Sequence, residues 1–160
     1  KVYGLYDGQQ FKEAIEGQPE KNIPGLKSIV ENFSGSDAGE IARLYLANSY
    51  YNTGNVEEAE KQYGSCSVSA PQLKAAVESG LAACAEAKKK YEDAADHYKK
   101  AASADPTNPI TAEYLQNAAK NYGLAGQKQN ALELIKRLKK EFPQSSQARD
   151  AERYLTEFAS

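Results

Sequence analysis

Self-similarity constrains this chain before any single residue does. In one stretch, Leu46-Ala47 leads at fixed offsets to Tyr50, Gly54, Ala59, Tyr63, Cys66 and Pro71. The same offsets next hold Leu81-Ala82, Ala85, Lys89, Ala94, Tyr98, Ala101 and Pro106, and then Ala118-Ala119, Tyr122, Gly126, Ala131, Ile135, Leu138 and Pro143. Ala59, Ala94 and Ala131 stand 35 and 37 residues apart, as do the three prolines, so the third unit is two residues longer. A period of that size marks a repeated supersecondary unit that cannot bury its apolar face alone and relies on its neighbour to cover it.

Each unit reads as two amphipathic helices, because Leu46 with Tyr50, and Ala59 with Tyr63 and Cys66, recur at the three- or four-residue spacing of one helix face. Gly54 and Gly126 fall where the first helix ends, a place that takes a left-handed backbone cheaply only with glycine. Lys89 departs from that rule in the middle unit. Alanines at 47, 82 and 119, and again at 59, 94 and 131, predict a close approach of the paired helices; a Leu at Ala94 should cost about 1 to 3 kcal/mol by overpacking. Pro71, Pro106 and Pro143 lack an N–H and push the preceding residue out of helix, so the second helix is expected to end near each. Asn108-Pro109 then opens another helix with proline in its first turn.

The ends of the chain complete the layout. Ala148, Ala151, Tyr154, Leu155 and Phe158 form an apolar stripe among charges, which predicts a terminal capping helix. Phe11, Ala14 and Ile15 suggest one helix near the start, and Pro24, Leu26, Ile29, Val30 and Phe33 a second, closed by Gly35 and Ser36. The expected organisation is one helical-repeat domain over 1–160: a degenerate helical pair at 1–36, repeat units at 38–71, 72–106 and 107–143, and a cap at 144–160.

Composition agrees with that class and narrows the partners. Hydrophobic residues make up 41% and charged residues 26%, Trp and Met are absent, and Ala is frequent, which suits a globular helical protein. Twenty basic and twenty-two acidic residues leave a formal charge of -2, so no global field draws the chain to nucleic acid or to an anionic membrane. No stretch approaches the roughly 18 consecutive apolar residues of a spanning helix. The chain begins at Lys1 rather than Met, so an upstream segment carrying a signal or anchor is expected, and any membrane attachment would run through it.

A search for reactive groups nominates no catalytic residue. The one histidine, His97, lies beside Tyr98 among lysines with no nucleophile in its pattern, as an ordinary helix-face histidine does. Cys66 and Cys84 are 18 residues apart with no histidine at ligand spacing, so no metal site is assigned, and no acidic run makes a calcium loop. The two thiols read either as small buried apolar groups or as a disulfide between successive repeats. Gly123 and Gly126 with Lys128 lack the spacing of a phosphate loop. Lys88 to Lys90, and Lys136, Arg137, Lys139 and Lys140, are spread around their helices and diluted by acidic neighbours, the pattern of a solvated face rather than a nucleic-acid patch. No cofactor is expected, and the chain is expected not to be an enzyme.

Two phrases carry a family resemblance. Leu46-Ala47-Asn48-Ser49-Tyr50-Tyr51-Asn52-Thr53-Gly54-Asn55-Val56-Glu57-Glu58-Ala59, and Tyr91-Glu92-Asp93-Ala94-Ala95-Asp96-His97-Tyr98-Lys99-Lys100-Ala101 with Asp105-Pro106 after it, resemble tetratricopeptide repeats. The resemblance implies an all-α, right-handed superhelix of antiparallel helix pairs, a solenoid whose first helices line a concave groove that binds a protein or peptide. By that correspondence the groove residues are Ile41, Leu44, Asn48, Tyr51 and Asn52 in the first unit. They are Ala76, Ser79, Ala83 and Glu86 in the second, and Glu113, Gln116 and Lys120 in the third. The family's early first-helix aromatic is replaced here by Arg43, Glu78 and Leu115. A chaperone-tail clamp is not implied, because Asn48 stands without the lysines that grip a terminal carboxylate.

The address comes from the flanks. Phe11-Lys12-Glu13-Ala14-Ile15-Glu16-Gly17, Ile23-Pro24-Gly25-Leu26 and Ser36-Asp37-Ala38-Gly39-Glu40-Ile41-Ala42 are similar to bacterial repeat proteins tethered by one N-terminal transmembrane helix, among them the ancillary subunit of the Sec translocon. Glu141-Phe142-Pro143-Gln144-Ser145 is similar to repeats of outer-membrane assembly lipoproteins and periplasmic cell-division coordinators. These resemblances imply a scaffold of the bacterial envelope, on the periplasmic side and tethered to the inner membrane, with a cytoplasmic adaptor as the other address. Self-association through Tyr3, Tyr6 or Phe158 is the structural alternative.

Overall fold

The computed structural model describes residues 1–159, with the side chains of Glu152, Glu157, Phe158 and Ala159 outside the description, so the expectation placed on Phe158 lies beyond the described residues. The repeat frame reappears as helix pairs. α4 (Asp37–Asn52) pairs with α5 (Val56–Gly64), α6 (Pro71–Ala87) with α7 (Tyr91–Ala104), and α8 (Thr111–Leu124) with α9 (Lys128–Glu141). α10 (Ser146–Ala159) follows as the cap. Ahead of them lie α1 (Val2–Asp7), α2 (Phe11–Glu16) and α3 (Leu26–Asn32), with a small hairpin between the last two. The fold is an all-α repeat fold, and it divides into two compact units, Lys1–Ser69 and Ala70–Ser160.

In both units the alanines do what their size allows. Ala47 and Ala59 in the first unit, and Ala82, Ala94, Ala119 and Ala131 in the second, are fully buried. A helix pair closes to side-chain contact at these positions only because the methyl group leaves room for the opposite backbone. In the second unit each helix packs on the next, and α10 rests on both α9 and α8. One cluster built around Leu115, Ile135 and Leu138 runs through it from Ala75 to Tyr154. The first unit has its own cluster, in which Val2, Leu5, Ile15, Leu26 and Val30 meet Ala42 and Leu46 of α4.

The turn inside each pair is the same object three times. Gly54 and Gly126 have φ of 81° and 78°, and Lys89 takes the same left-handed region at 58°. The hydrogen bonds coincide as well: Asn55 N donates to Tyr50 O at 2.9 Å, Lys90 N to Ala85 O at 2.9 Å, and Gln127 N to Tyr122 O at 2.8 Å. This six-to-one bond is the Schellman closure, which satisfies a carbonyl at the helix end. Lysine therefore makes the glycine turn in the middle unit, at the steric cost its Cβ brings.

Both helices expected at the start of the chain are present, as α2 and α3, but α1 precedes them and changes which two make the pair. Gln9, at φ 58°, closes α1 with the same turn, and Gln10 N donates to Leu5 O at 2.8 Å. Five residues beyond it Ala14 is fully buried, as Ala59 is five beyond Gly54. The pair that shares the repeat turn is thus α1 with α2, and α3 is an additional helix. Between them β1 (Gly17–Gln18) and β2 (Ile23–Pro24) pair antiparallel around a 3-10 turn at Pro19–Lys21. Six residues at α1 were too few for periodicity to reveal a helix, and the two-residue strands carry no alternation to read.

A second correction concerns Pro71. It occupies the first turn of α6, where its missing N–H costs nothing, and α5 has already ended seven residues earlier at Gly64. Pro143 behaves as expected and follows the end of α9. Two Phe-x-x-Ser corners start helices in the two units: Ser36 Oγ donates to Phe33 O at 2.7 Å and accepts from Gly39 N at 3.0 Å, and Ser145 Oγ does the same with Phe142 O and Ala148 N. At the first corner α3 and α4 come so close that a Cβ on Gly39 would stand 2.0 Å from Phe33 O.

Candidate protein-binding site

The missing early aromatic leaves a position that each repeat fills with its own chemistry. Nineteen residues separate Arg43 from Gln62, Glu78 from His97 and Leu115 from Leu134, so each couple joins the first helix to the second at one level of the frame. Arg43 Nη1 donates to Gln62 Oε1 at 3.1 Å. His97 Nδ1 lies 2.7 Å from Glu78 Oε2, with both side chains partly exposed. Leu115 and Leu134 are buried in the shared core of the second unit. The rung is polar in two repeats and apolar in the third, and His97 is accounted for by it.

Arg43 also lies 3.5 Å from Glu40 Oε2, which accepts Ser67 N at 2.7 Å. Glu40 is nearly buried, and its backbone carbonyl accepts the Cys66 thiol at 3.4 Å. Burial, with the Glu40 carboxylate nearby, pushes the Cys66 thiol up to about 11, so it is protonated and unreactive at neutral pH. Cys66 is a half-buried thiol and Cys84 a buried one; the disulfide alternative is not what the structure contains.

The expected groove residues of the first unit lie along α4. Leu44 is buried, Ile41, Asn48 and Tyr51 are half-buried, and Asn52 is exposed, with its amide returned to Asn48 O at 2.8 Å. Asn48 is a junction: its Nδ2 donates to Tyr6 OH at 3.1 Å, and its Oδ1 accepts the Tyr63 hydroxyl at 2.5 Å. Tyr6 and Tyr3 of α1 pack edge-on against Tyr45 of α4, with ring centroids 4.7 and 4.9 Å away. From the sequence Tyr3 and Tyr6 are expected only as self-association residues, and Tyr45 not at all, because six residues do not mark α1 as a helix that packs on α4. The signal that finds it is Ala14, which sits five residues past a turn as Ala59, Ala94 and Ala131 do.

In the second unit Ala76, Ser79, Ala83, Glu86 and Lys120 are half-buried, Glu113 is exposed and Gln116 is buried. Glu86 accepts the Tyr98 hydroxyl at 3.1 Å and Asn121 Nδ2 at 2.6 Å, which ties α6, α7 and α8 together. Tyr98 occupies the frame position of Tyr63, so both tyrosines spend a hydroxyl on an expected groove residue of their own repeat. Beside this junction Tyr122 OH donates to Asp96 Oδ1 at 2.5 Å and accepts from Lys99 Nζ at 3.1 Å. Lys120 Nζ stands 5.5 Å over the ring of Tyr154 on the cap. The exposed positions on these faces are polar, and the groups that fix them are tyrosines and amides rather than an acid and base poised around a cavity. Among the described residues no three His, Cys, Asp or Glu side chains gather as metal ligands. No described helix is long and apolar enough to cross a membrane.

Comparison with known proteins agrees with the frame. The tetratricopeptide repeat family model matches residues 42–72 and 113–145, so the chain carries such repeats there. Among solved structures it is similar to the crystal structure of a Podosopora anserina putative kinesin light chain with nearly identical TPR-like repeats, and to a point variant of that protein. Both have a TM-score of 0.70 and 16% identity, and the match covers 99% of this chain and 90% and 89% of theirs. At that identity the likeness shows the fold. No curated protein matches the chain. Tetratricopeptide repeats generally mediate protein–protein interaction and are generally non-catalytic.

Proposed function

We propose that this chain is a non-catalytic scaffold that holds a protein or peptide on the faces of its first helices. The observation that carries this reading is the fixing of those faces: Asn48 and Glu86 are each held by two hydrogen bonds from neighbouring helices. A recognition surface gains affinity when its polar groups are held in place before the partner arrives, because less ordering entropy is lost on binding. Asn52 and Glu113 stay exposed on the same faces and are available to an incoming backbone or side chain.

The finer reading is that the chain is the soluble part of a membrane-tethered bacterial envelope protein. Its support is the similarity of the Phe11–Gly17, Ile23–Leu26 and Ser36–Ala42 phrases to tethered repeat proteins. Outer-membrane assembly or cell division is the alternative service within that compartment. Crosslinking the natural protein in its own cells and identifying the adducts tests both levels. Envelope or exported proteins are the expected catch; recovery of cytosolic metabolic enzymes alone overturns the envelope reading and leaves the scaffold.

Self-association is the second reading, favoured by Phe33, Ile110 and Leu124, which are 56%, 45% and 65% exposed. Sedimentation at increasing concentration decides it, since an unchanging monomer removes that reading.

A further inference from the structure

The two units differ in charge and in the chemistry of their first-helix faces. Residues 1–69 contain six Lys and Arg against ten Asp and Glu, a formal charge of -4, whereas the whole chain carries only -2. In that acidic unit the face built from α1 and α4 is rich in tyrosine. Tyr3 and Tyr6, three apart on α1, flank Tyr45 edge-on, and Tyr51 lies further along α4. Tyr3 is 39% exposed, Tyr6, Tyr45 and Tyr51 are half-buried, and Asp7 is exposed at the end of α1. Arg43, the one cation of α4, is turned to Gln62 on α5 and to Glu40.

Edge-to-face packing against Tyr45, and of Tyr6 against Phe11 as well, holds the rings in fixed orientations, and Tyr3 is the ring of the cluster most open to solvent. A ring face is an acceptor for an ammonium or guanidinium, and a nearby carboxylate with an acidic surround adds long-range attraction. We propose that the α1–α4 face of the first unit docks a basic peptide segment, with an Arg or Lys side chain stacked on the Tyr3–Tyr6–Tyr45 cluster and its charge facing Asp7. This rests on the scaffold reading above and names the chemistry of the partner at one end of it. Asn52, about two turns from Tyr45 along α4, offers its carbonyl oxygen to the peptide backbone while its amide nitrogen donates to Asn48 O.

The test uses the full chain and two labelled decapeptides, alternating Arg-Ser and alternating Gln-Ser, followed by fluorescence anisotropy at low salt. The Arg peptide is expected to bind at least ten-fold more tightly than the Gln peptide. Tyr3→Leu should weaken the Arg peptide about five- to ten-fold, Tyr3→Phe should retain it, and Glu92→Gln, exposed on α7 of the second unit, should leave it unchanged. Tyr3 is exposed enough for these changes to spare the core. As a second reading on the unaltered sequence, 3-fluorotyrosine labelling should shift the Tyr3 and Tyr6 fluorine resonances with the Arg peptide and not with the Gln peptide. Equal affinity for both peptides, loss of binding with Glu92→Gln but not with Tyr3→Leu, or fluorine shifts confined to other tyrosines would overturn the proposal. Cellular adducts formed at Glu113 would survive such a failure, so the scaffold reading stands or falls separately.

Discussion

Exchanging the residue at the turn between paired helices should move stability in opposite directions at Lys89 and at Gly126. All three repeat turns use the same left-handed backbone and the same six-to-one hydrogen bond, yet two have glycine and one has lysine. An L-residue there costs about 1 to 2 kcal/mol through its Cβ. Glycine gives back about 0.5 to 1 kcal/mol through the extra freedom of its unfolded state. The difference leaves Lys89→Gly more stable by about 0.5 to 1 kcal/mol. Gly126→Lys and Gly54→Ala should lose a similar amount. Nothing else should contribute much, because Lys89 is exposed and a Cβ on Gly54 or Gly126 would meet no atom within 4 Å. Urea unfolding followed by far-ultraviolet circular dichroism reads the change, with roughly 1 to 4 °C in thermal midpoint as a cross-check for a chain of this size. The reasoning is refuted if Lys89→Gly is destabilising while Gly126→Lys is neutral, since the strain would then not reside in the backbone region the three turns share.

Other consequences are open to the same assay. Gly39→Ala should destabilise the first unit by about 2 kcal/mol or more, because its Cβ would strike the backbone oxygen of Phe33, and a shift under 0.5 kcal/mol would contradict the close approach of α3 and α4. Ser145→Ala should cost about 1 kcal/mol by leaving Ala148 N uncapped, with Ser36→Ala costing a similar amount at Gly39 N; an unchanged urea midpoint in both would deny the capping role. Leu115→Arg should be far more damaging than Arg43→Leu, about 3 kcal/mol or more, because a cation would be buried where Gln62 or Glu40 has no counterpart. The Cys66 thiol titrates higher in the folded chain than its ordinary 9.0, so the folded state holds its proton longer and stability should fall as pH rises from about 9 to about 11; Cys66→Ala should flatten that decline, measured as urea midpoint against pH.

Legibility followed the number of residues that announce a feature together. Three copies of an alanine and a turn residue at fixed offsets, with a tyrosine in two of the three copies at each of two more, were enough to read α4 to α9, because each copy corrected the ambiguity of the others. Of the first helix pair α2 was legible and α1 was not: the turn is made by Gln9 rather than glycine, and α1 is only six residues long, so neither composition nor periodicity marked it. Pro71 was read as the close of one unit because proline is excluded from helix interiors, but the same property suits a helix start, and the sequence does not say which neighbour it serves. For the proposed site, the family correspondence named Asn48 and Glu86 but not what holds them. Tyr6 lies 42 residues from Asn48, and Asn121 lies 35 from Glu86, partnerships that only the packing of different helices brings about.

The proposed scaffold presents its recognition face on the first helices and not on the second. A photo-crosslinking amino acid placed singly at Asn52 and Glu113 on first helices, and at Lys61, Lys100 and Lys136 on second helices, tests it in the native cell with all five positions exposed. The account predicts discrete protein adducts from the first two positions and none in common from the other three. Adducts confined to Lys61, Lys100 or Lys136, with Asn52 and Glu113 silent, would contradict it.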